Sequence, residues 1–247
     1  MTAPDTDWPQ IRTVGIDGML ISFGDSLSEP ANRAALAFRA AVDSENWDGV
    51  EETSTSLVSA FVRFDPLHLS HTTLASQLKT LLLSADWYQS DLPSGRRFFR
   101  IPTVFGTDLA PQLEDAAREA GLSVDEAVAS ITTARVRVQT IGFAPGQPYL
   151  GVLPEAWNIP RLQDLTPKVE VGALVVAIRQ LVLFSVSTPT GWRHVGQTAV
   201  RLFQPDRADP FLLRPGDEVQ FHAISRDEFN TIRENEPDAG VTREVIS

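Results

Sequence analysis

The chain has 247 residues, of which 43% are hydrophobic and 21% charged, and its formal net charge is −11. This composition is typical of a globular protein with one large β-rich domain or two smaller ones. The acidic balance argues against a nucleic-acid surface, and the absence of cysteine excludes disulfides, thiolate nucleophiles and cysteine-based zinc sites. The sequence shows no secretory leader and no apolar run of membrane-spanning length, so we expect a cytoplasmic protein without a membrane partner.

The N-terminal third of the chain predicts an α+β domain with the element order ββαββα. Asp17-Gly18, between two β-prone apolar runs, favours a type I′ hairpin turn because both residues tolerate a positive φ. Two later segments have apolar residues at helical spacing, each after a candidate N-cap. A four-stranded sheet backed by two helices would bury both apolar stripes. The predicted strands cover 11–16, 19–23, 50–55 and 57–64, and the predicted helices start at Ser26 or Ser28 and at Ser70 or Thr72.

The rest of the chain, after a polar linker at 90–95, predicts a mainly antiparallel β-barrel. Short strands separated by turns make up most of this part of the chain. Two helices are predicted near its start, one over 108–120 and one that begins at a capping box of Ser123 and Glu126. The charged segment from Arg226 onward is expected to fray or to cover a sheet edge. The predicted strands are 98–105, 136–143, 173–178, 181–186, 198–202 and 218–223, with turns at 188–191 and 215–217. The predicted domains are 1–90 and 91–227, followed by a tail at 228–247.

One stretch, Ile141 to Pro154, combines three glycines, three prolines and two aromatic residues directly after a predicted strand. Proline fixes φ and glycine permits a positive φ, so local sterics determine the path of this backbone. Such a backbone could hold main-chain N–H groups and the rings of Phe143 and Tyr149 toward a ligand. A corner between two barrel strands is an equally good interpretation.

Four histidines are the other candidates for chemistry. His68 and His71 precede a predicted helix and are expected on the solvated surface, whereas His222 is expected to be structural. The run Gly191 to His194 places a large aromatic ring, a cation and a titratable ring together. It is either a strand end with Trp192 in the core or a ligand contact. There is no Walker loop, G-x-S-x-G elbow or H-E-x-x-H motif, so these patterns alone do not reach a reaction.

The segment Gly142-Phe143-Ala144-Pro145-Gly146-Gln147-Pro148-Tyr149-Leu150-Gly151 resembles the G-F-x-P-G-F-P-Y-L-G signature of the B-type subunit of 5-oxoprolinase. That family is also described as allophanate hydrolase subunit 1, and it includes the Kip inhibitor of a sporulation histidine kinase. Further resembling motifs follow in the family's order along nearly the whole chain. They are Phe23-Gly24-Asp25, Phe64-Asp65-Pro66, Ile101-Pro102, Pro160-Arg161-Leu162, Pro189 with Gly191-Trp192, Leu202-Phe203 with Pro205, and Leu213-Arg214-Pro215-Gly216-Asp217.

The resemblance implies a small N-terminal α+β domain followed by a cyclophilin-like antiparallel β-barrel. It also implies a heteromeric hydrolase in which a companion subunit of C type and a third, amidohydrolase-type subunit open the lactam of 5-oxoproline to glutamate at the expense of ATP. A similar module forms the carboxyltransferase part of urea carboxylase. The chain is then not expected to be active alone, and no cofactor is evident in it. The alternative is a non-catalytic regulatory or binding protein, such as a histidine-kinase inhibitor.

The resemblance, together with the composition of the two stretches above, predicts a site for a small lactam or amide. No catalytic residue and no metal ligand is assigned. The predicted substrate-binding residues are Phe143, Pro145, Gly146, Pro148, Tyr149, Arg161, Gln180, Trp192, Arg193 and His194.

The chain also departs from the family pattern at several positions of this site. Ile131 replaces a histidine, Gln147 an aromatic residue and Gln197 an arginine, and Leu165-Thr166 replaces a second Pro-Arg pair. Where the family has a glycine-rich segment, G-G-Q-T-G-I-Y-P, this chain has residues 179–185, which share only Gln180 with it. Each loss removes a proton carrier, an anion partner or a point of close approach to the backbone. We expect the fold to survive these changes, with the catalytic and the regulatory interpretations both open.

Overall fold

The computed structural model describes residues 8–236 and 238–246, so residues 1–7, 237 and 247 of the predicted domains lie outside the described residues. The chain divides into two compact units, of which the first ends at Ser94 and the second begins at Gly95. The first unit has the predicted order ββαββα, and its four-stranded sheet is antiparallel in the order β1-β2-β4-β3. Its elements are β1 (Gln10–Val14), β2 (Gly18–Ser22), α1 (Glu29–Glu45), β3 (Val50–Ser56), β4 (Ser59–Phe64) and α2 (His71–Leu82).

Both helices of the first unit begin at predicted N-caps. The Ser28 Oγ accepts a hydrogen bond from the Ala31 N–H at 3.3 Å, and the Ser70 Oγ accepts one from the Thr73 N–H at 3.1 Å. These bonds satisfy N–H groups that have no partner within the helix. The apolar face of α1, represented by Phe38, is fully buried in the core between the helices and the sheet.

The first hairpin differs from its prediction. Val14 pairs with Gly18, so the turn is the three-residue loop 15–17, in which Gly15 has a φ of 65°. Gly18 lies in strand β2, where a Cβ atom would come within 2.6 Å of the Phe61 ring. The type I′ turn predicted at Asp17-Gly18 is therefore wrong, because Gly18 is needed for close packing against Phe61 and not for a positive φ.

The second unit is a closed seven-stranded barrel with three helices and a small additional sheet. Its strands are β5 (Arg96–Phe105), β6 (Val136–Ile141), β7 (Pro148–Gly151), β8 (Thr166–Val169), β9 (Ala173–Ala177), β10 (Gln180–Leu183), β11 (Thr188–Thr190), β12 (Arg193–Gln197), β13 (Glu218–Ala223) and β14 (Thr242–Ile246). Its helices are α3 (Leu113–Glu119), α4 (Val124–Thr133) and α5 (Arg226–Asn235).

The barrel order is β12-β9-β10-β7-β6-β13-β5, and pairing of β5 with β12 closes it. The pairing of β5 with β13 is parallel, and the other barrel pairings are antiparallel. Strands β8 and β11 form a separate two-stranded sheet. The predicted fold class, a small ββαββα domain followed by a mainly antiparallel barrel, is confirmed.

Alternate residues of the barrel strands form two separate cores. All seven barrel strands contribute to one large buried cluster, which is therefore the barrel interior and also contains residues of α3 and α4. Residues of β9 and β10 that point the other way, such as Val175 and Val182, form a smaller cluster with Val169 of β8 and with Trp192. This smaller cluster lies on the outer face of the barrel and includes half-buried Tyr149 at its margin.

Three predicted elements of the second unit are different in the structure. The helix predicted over 108–120 begins at Leu113, because the main chain and the side chain of Gln112 both bond the backbone of His194. The strand predicted at 198–202 is absent from the described structure, and the preceding residues 193–197 form β12. The turn predicted at 188–191 includes strand β11.

The segment from Arg226 onward is ordered into two elements. Ser225 and Glu228 form a capping box that starts α5, and β14 then pairs antiparallel with β5. Of the two predictions for this segment, covering a sheet edge is the one found. The S-x-x-E pattern that begins α5 was the sequence signal that could have predicted the helix. No helix among the described residues is long and apolar enough to cross a bilayer.

Candidate functional site

The Gly/Pro stretch forms a tight loop between β6 and β7. The Gly142 N–H donates to the Gln147 carbonyl at 3.0 Å, and the Gln147 N–H donates to the Ala144 carbonyl at 3.1 Å. Gly146 has a φ of 72°, and a Cβ atom there would lie 2.9 Å from the Leu202 carbonyl oxygen. Gly146 therefore combines a positive φ with a close approach to the backbone of another segment.

Phe143 is the exposed aromatic residue of this loop. Its φ is 70°, a left-handed conformation that side chains other than glycine rarely adopt, and 72% of its surface is exposed. Its ring meets Phe184 edge-on, with centroids 6.5 Å apart. The loop therefore displays an aromatic side chain in one fixed direction, with Pro145 also exposed beside it.

Two of the predicted residues, Tyr149 and Arg161, contact the indole ring of a third, Trp192. We call these three residues the Trp192 cluster. The rings of Tyr149 and Trp192 meet edge-on with centroids 6.2 Å apart, and the Arg161 Cζ lies 5.0 Å from the Trp192 centroid. Trp192 itself is 7% exposed, whereas Arg161 is exposed. The cluster thus combines aromatic surface with a cation that forms no ion pair with any described residue.

Arg193 does not join this cluster. Its guanidinium forms an ion pair with Asp115 on α3, with Nε 2.6 Å from Oδ2, and its Nη1 donates to the Pro160 carbonyl at 2.6 Å. Glu119, also on α3, lies 3.7 Å from Nη2. Because neighbouring residues of an extended chain point to opposite sides, Arg193 lies away from Trp192 and fastens helix α3 to strand β12.

His194 is buried on strand β12. Its backbone N–H donates to the Gln112 Oε1 at 2.7 Å, but its ring Nε2 is buried and has no hydrogen-bond partner among the described residues. Burial lowers the pKa of His194, while the Gly196 backbone and the Gln197 side chain act in the opposite direction. Burial thus disfavours the charged imidazole, which is the form that would attract an anion.

Gln180 and the positions that depart from the family pattern are mostly buried. The Gln180 Nε2 donates to the Gln139 Oε1 at 2.8 Å, so the amide is engaged with another strand. The Gln147 side chain accepts from the Ser185 N–H at 3.4 Å, and the Gln197 amide donates to the Val171 carbonyl at 2.8 Å. These three amides contribute hydrogen bonds to the structure. Gln180 was predicted as a ligand contact, whereas Gln147 and Gln197 were departures from the family pattern. Gln139 had no sequence signal that pointed to it.

The remaining histidines are outside this region. His68 is exposed, and its Nδ1 lies 2.5 Å from the Asp65 Oδ2, which raises the pKa of His68 through that hydrogen bond. His71 packs edge-on against the Phe64 ring, with centroids 4.8 Å apart. His222 lies next to Phe221 near the end of β13, as predicted, and it is exposed. The described residues contain no group of three or more metal-binding side chains that could hold an ion.

A known family matches this arrangement of elements and residues. The model of the carboxyltransferase domain, subdomain C and D, matches residues 9–213. The chain belongs to this family.

Curated relatives of this carboxyltransferase-domain chain are named as the B-type subunit of 5-oxoprolinase. The protein from Bacillus subtilis (strain 168) is 29% identical over 233 residues, which cover 91% of this chain and 97% of that protein. The protein from Escherichia coli O157:H7 is 38% identical over 55% of this chain and 62% of its own length. The relative from Haemophilus influenzae is 31% identical over 68% of this chain and 73% of its own length. The family resemblance found in the sequence motifs is thereby confirmed.

Solved structures show the same fold. TTHA0988 is 30% identical with a TM-score of 0.71, and the match covers 85% of this chain but 40% of TTHA0988. The uncharacterized protein PH0987 from Pyrococcus horikoshii is 32% identical with a TM-score of 0.51 and covers 89% of this chain and 100% of its own. Kluyveromyces lactis urea amidolyase, at 16% identity and a TM-score of 0.71, shares the fold over 99% of this chain and 17% of its own. The chain thus spans well under half of TTHA0988 and of the K. lactis enzyme.

Proposed function

We propose that this chain is the B-type subunit of a heteromeric, ATP-dependent 5-oxoprolinase, a hydrolase of small lactams or amides. The observation that carries this proposal is the alignment with the corresponding 5-oxoprolinase chain of B. subtilis over 91% of this chain and 97% of that protein. An alignment of this length includes most of both structural units. A companion subunit of C type and a third, amidohydrolase-type subunit complete the proposed complex, and its use of ATP fits a cytoplasmic location.

The Trp192 cluster supports a role in holding the substrate. A small lactam acid such as 5-oxoproline has a flat amide ring and a carboxylate. The indole and phenol rings of the cluster offer surface to the ring, and the Arg161 guanidinium can donate to the carboxylate. We propose that the chain contributes these contacts with the lactam ring and the carboxylate. Phe143 and the buried loop residues Gly146 and Pro148 are proposed to limit the position of the substrate from one side.

ATP is assigned to the complex and not to this chain alone. A triphosphate requires several charge-assisted contacts, and the cations nearest the cluster are largely committed elsewhere. Arg193 is paired with Asp115, Lys168 lies 2.8 Å from Glu170, and burial disfavours the charged form of His194. Arg161 remains as the available cation of the cluster among the described residues. We therefore propose that the isolated chain hydrolyses neither ATP nor 5-oxoproline.

A regulatory protein that binds another protein is the second candidate. The observation that favours it is Phe143, an aromatic side chain that is 72% exposed and held by a left-handed backbone. Exposed, rigid aromatic residues are frequent anchors of protein interfaces. In this alternative the loop around Phe143 binds a partner such as a histidine kinase, and the replacements of family residues reflect loss of catalysis.

Reconstitution distinguishes the two candidates. The chain is purified from its native host under mild conditions, the copurifying proteins are identified, and the recombinant complex is assayed for glutamate release from 5-oxoproline with ATP. We expect no turnover from the chain alone and turnover from the complete complex. Activity in the isolated chain would contradict the division of roles, and a stable but inactive complex would favour the regulatory candidate.

A further inference from the structure

A cleft in the second unit has a different chemical character from the Trp192 cluster. It consists of two adjoining cavities of about 730 and 340 Å³, which share Gln204, Arg207, Leu212 and Arg243 as lining residues. We call it the arginine cleft. None of the ten predicted site residues lines it, so it is a separate feature of the described structure.

Five arginines line this cleft, and they come from five separate segments, of which Arg97 in β5 lines the smaller cavity. Arg201 follows β12, Arg207 lies in the loop before Phe211, Arg233 belongs to α5, and Arg243 belongs to β14. The chain as a whole carries a net charge of −11. A concentration of guanidinium groups in so acidic a protein is a local exception, and it arises only when α5 and β14 fold against the barrel.

Two of the five guanidinium groups are available to a ligand, and Arg97 is paired with Asp217 at 2.6 Å. Arg207 is 3.3 Å from Asp238, and Arg233 lies over the Phe229 ring at 5.3 Å. The side chains of Arg201 and Arg243 are exposed and form no ion pair or hydrogen bond with any residue that the structure describes. Guanidinium groups bind carboxylate and phosphoryl oxygens in paired hydrogen bonds.

The walls restrict the kind of anion that fits. Leu212 and Val241 add apolar surface beside the arginines, and Phe211, 39% exposed, lines the smaller cavity. Four carboxylates line the cleft as well. Asp238 and Asp209 are paired with Arg207 and Arg214, whereas Glu234 and Glu236, at the end of α5, repel negative charge in the larger cavity. An anionic group is therefore directed to the side of Arg201 and Arg243, with an organic body against the apolar wall.

We propose that the arginine cleft binds a small organic anion with at least two phosphoryl or carboxylate groups, held by Arg201 and Arg243. This site goes beyond the proposed lactam site, and it does not depend on the complex, because all of its lining residues belong to this chain.

Calorimetric titration of the isolated chain with three probes tests the site at low ionic strength, where charge contacts are least screened. ADP and inorganic pyrophosphate represent phosphoryl groups with and without an organic body, and citrate represents carboxylates. We expect binding of at least one probe, and about a tenfold rise in Kd for each of Arg201→Gln and Arg243→Gln. The preferred probe identifies the anionic group, and tighter binding of ADP than of pyrophosphate indicates a contribution of the apolar wall.

Lys79→Gln is the matched control, because it removes one positive charge from an exposed position on α2 in the other unit. It should leave Kd unchanged. Thermal melts check that the variants fold, which is expected because both arginines are exposed. The proposal is overturned if no probe binds, if the double variant Arg201→Gln/Arg243→Gln binds like the unmodified chain, or if Lys79→Gln weakens binding equally.

Discussion

The guanidinium of Arg161 lies over the indole ring of Trp192, with Cζ 5.0 Å from the ring centroid. The charge of Arg161 is available because the side chain forms no ion pair with any described residue, and its position is maintained by the buried indole. Arg161 and Trp192 are far apart along the chain, and the Leu162 N–H bonded to the Gly191 carbonyl at 2.6 Å holds their two segments together. A flat anion could contact the cation and the aromatic surface at the same time.

Replacing Arg161 with Gln should impair the complex more than it impairs the fold. We expect KM for 5-oxoproline in the reconstituted complex to rise about tenfold, because a charge-assisted contact to the carboxylate is lost. The free energy of unfolding should fall by less than about 1 kcal/mol, the usual contribution of an exposed cation–π contact. Steady-state kinetics and urea unfolding measure the two effects.

Arg12→Gln is a suitable control for the Arg161 variant. The Arg12 Cζ lies 5.9 Å from the Trp8 ring centroid in the first unit, so this change removes a similar contact outside the cluster. Unchanged kinetics are expected for Arg12→Gln. Equal kinetic effects of both variants would show that Arg161 has no special role.

Gly146→Ala should destabilise the second unit for two reasons. A φ of 72° imposes a left-handed penalty on alanine, and the new Cβ would lie 2.9 Å from the Leu202 carbonyl oxygen. We expect a loss of about 2 kcal/mol or more in the free energy of unfolding. Gly121→Ala separates the two causes, because Gly121 has a φ of 68° and no atom near its Cβ position. Equal losses in the two variants would show that the contact with Leu202 costs nothing.

The two arginines that pair with Asp115 should differ in their contribution to stability. The Arg193 side chain is 7% exposed and also donates to the Pro160 carbonyl, whereas the Arg118 side chain is 71% exposed. Arg193→Met should cost about 1–3 kcal/mol, because the Pro160 carbonyl and the half-buried Asp115 carboxylate both lose this donor. Arg118→Met should cost less than about 0.5 kcal/mol, as exposed pairs do. Urea unfolding of both variants measures the difference, and similar losses would contradict the assignment of Arg193 as a buried tie.

The stability of the protein should depend on pH through His194. Burial lowers the pKa of His194 below its ordinary value of 6.5, so the unfolded chain binds this proton more readily than the folded protein does. The stabilising contribution is therefore complete above about pH 6.5 and is lost as the pH falls below that value. Urea unfolding between about pH 5 and pH 8 should show this decline, and His194→Gln should flatten it.

The pKa of His68 is shifted in the opposite direction from that of His194. Its hydrogen bond with Asp65 raises the pKa of His68, so its contribution is present below pH 6.5 and is lost as the pH rises through the higher folded value. Removing it by His68→Gln should not flatten the decline at low pH. If His194→Gln keeps the slope of the unmodified chain, buried His194 is not the titrating group.

The local signals in the sequence were sufficient for many of the elements. Ser28, Ser70 and the Ser123–Glu126 capping box correctly marked the starts of α1, α2 and α4, because a cap acts over three residues. Gly146 was recognisable from its place between Pro145 and Gln147 in the Gly/Pro stretch. The hairpin turn was misplaced because the close approach of Phe61 to Gly18 involves two different strands and leaves no local pattern.

The sequence alone determined the fold class, the family and the aromatic residues that could form a site, since periodicity, caps and motifs are properties of neighbouring residues. Only the tertiary structure decided which of those residues meet. Trp192 and Arg193 are adjacent in sequence, yet one joins Tyr149 and Arg161 while the other pairs with Asp115 on α3. The parallel pairing of β5 with β13 and the grouping of five arginines in the cleft likewise depend on segments that are distant in the sequence. Contacts of this kind depend on packing between distant segments, which no local pattern in the chain specifies.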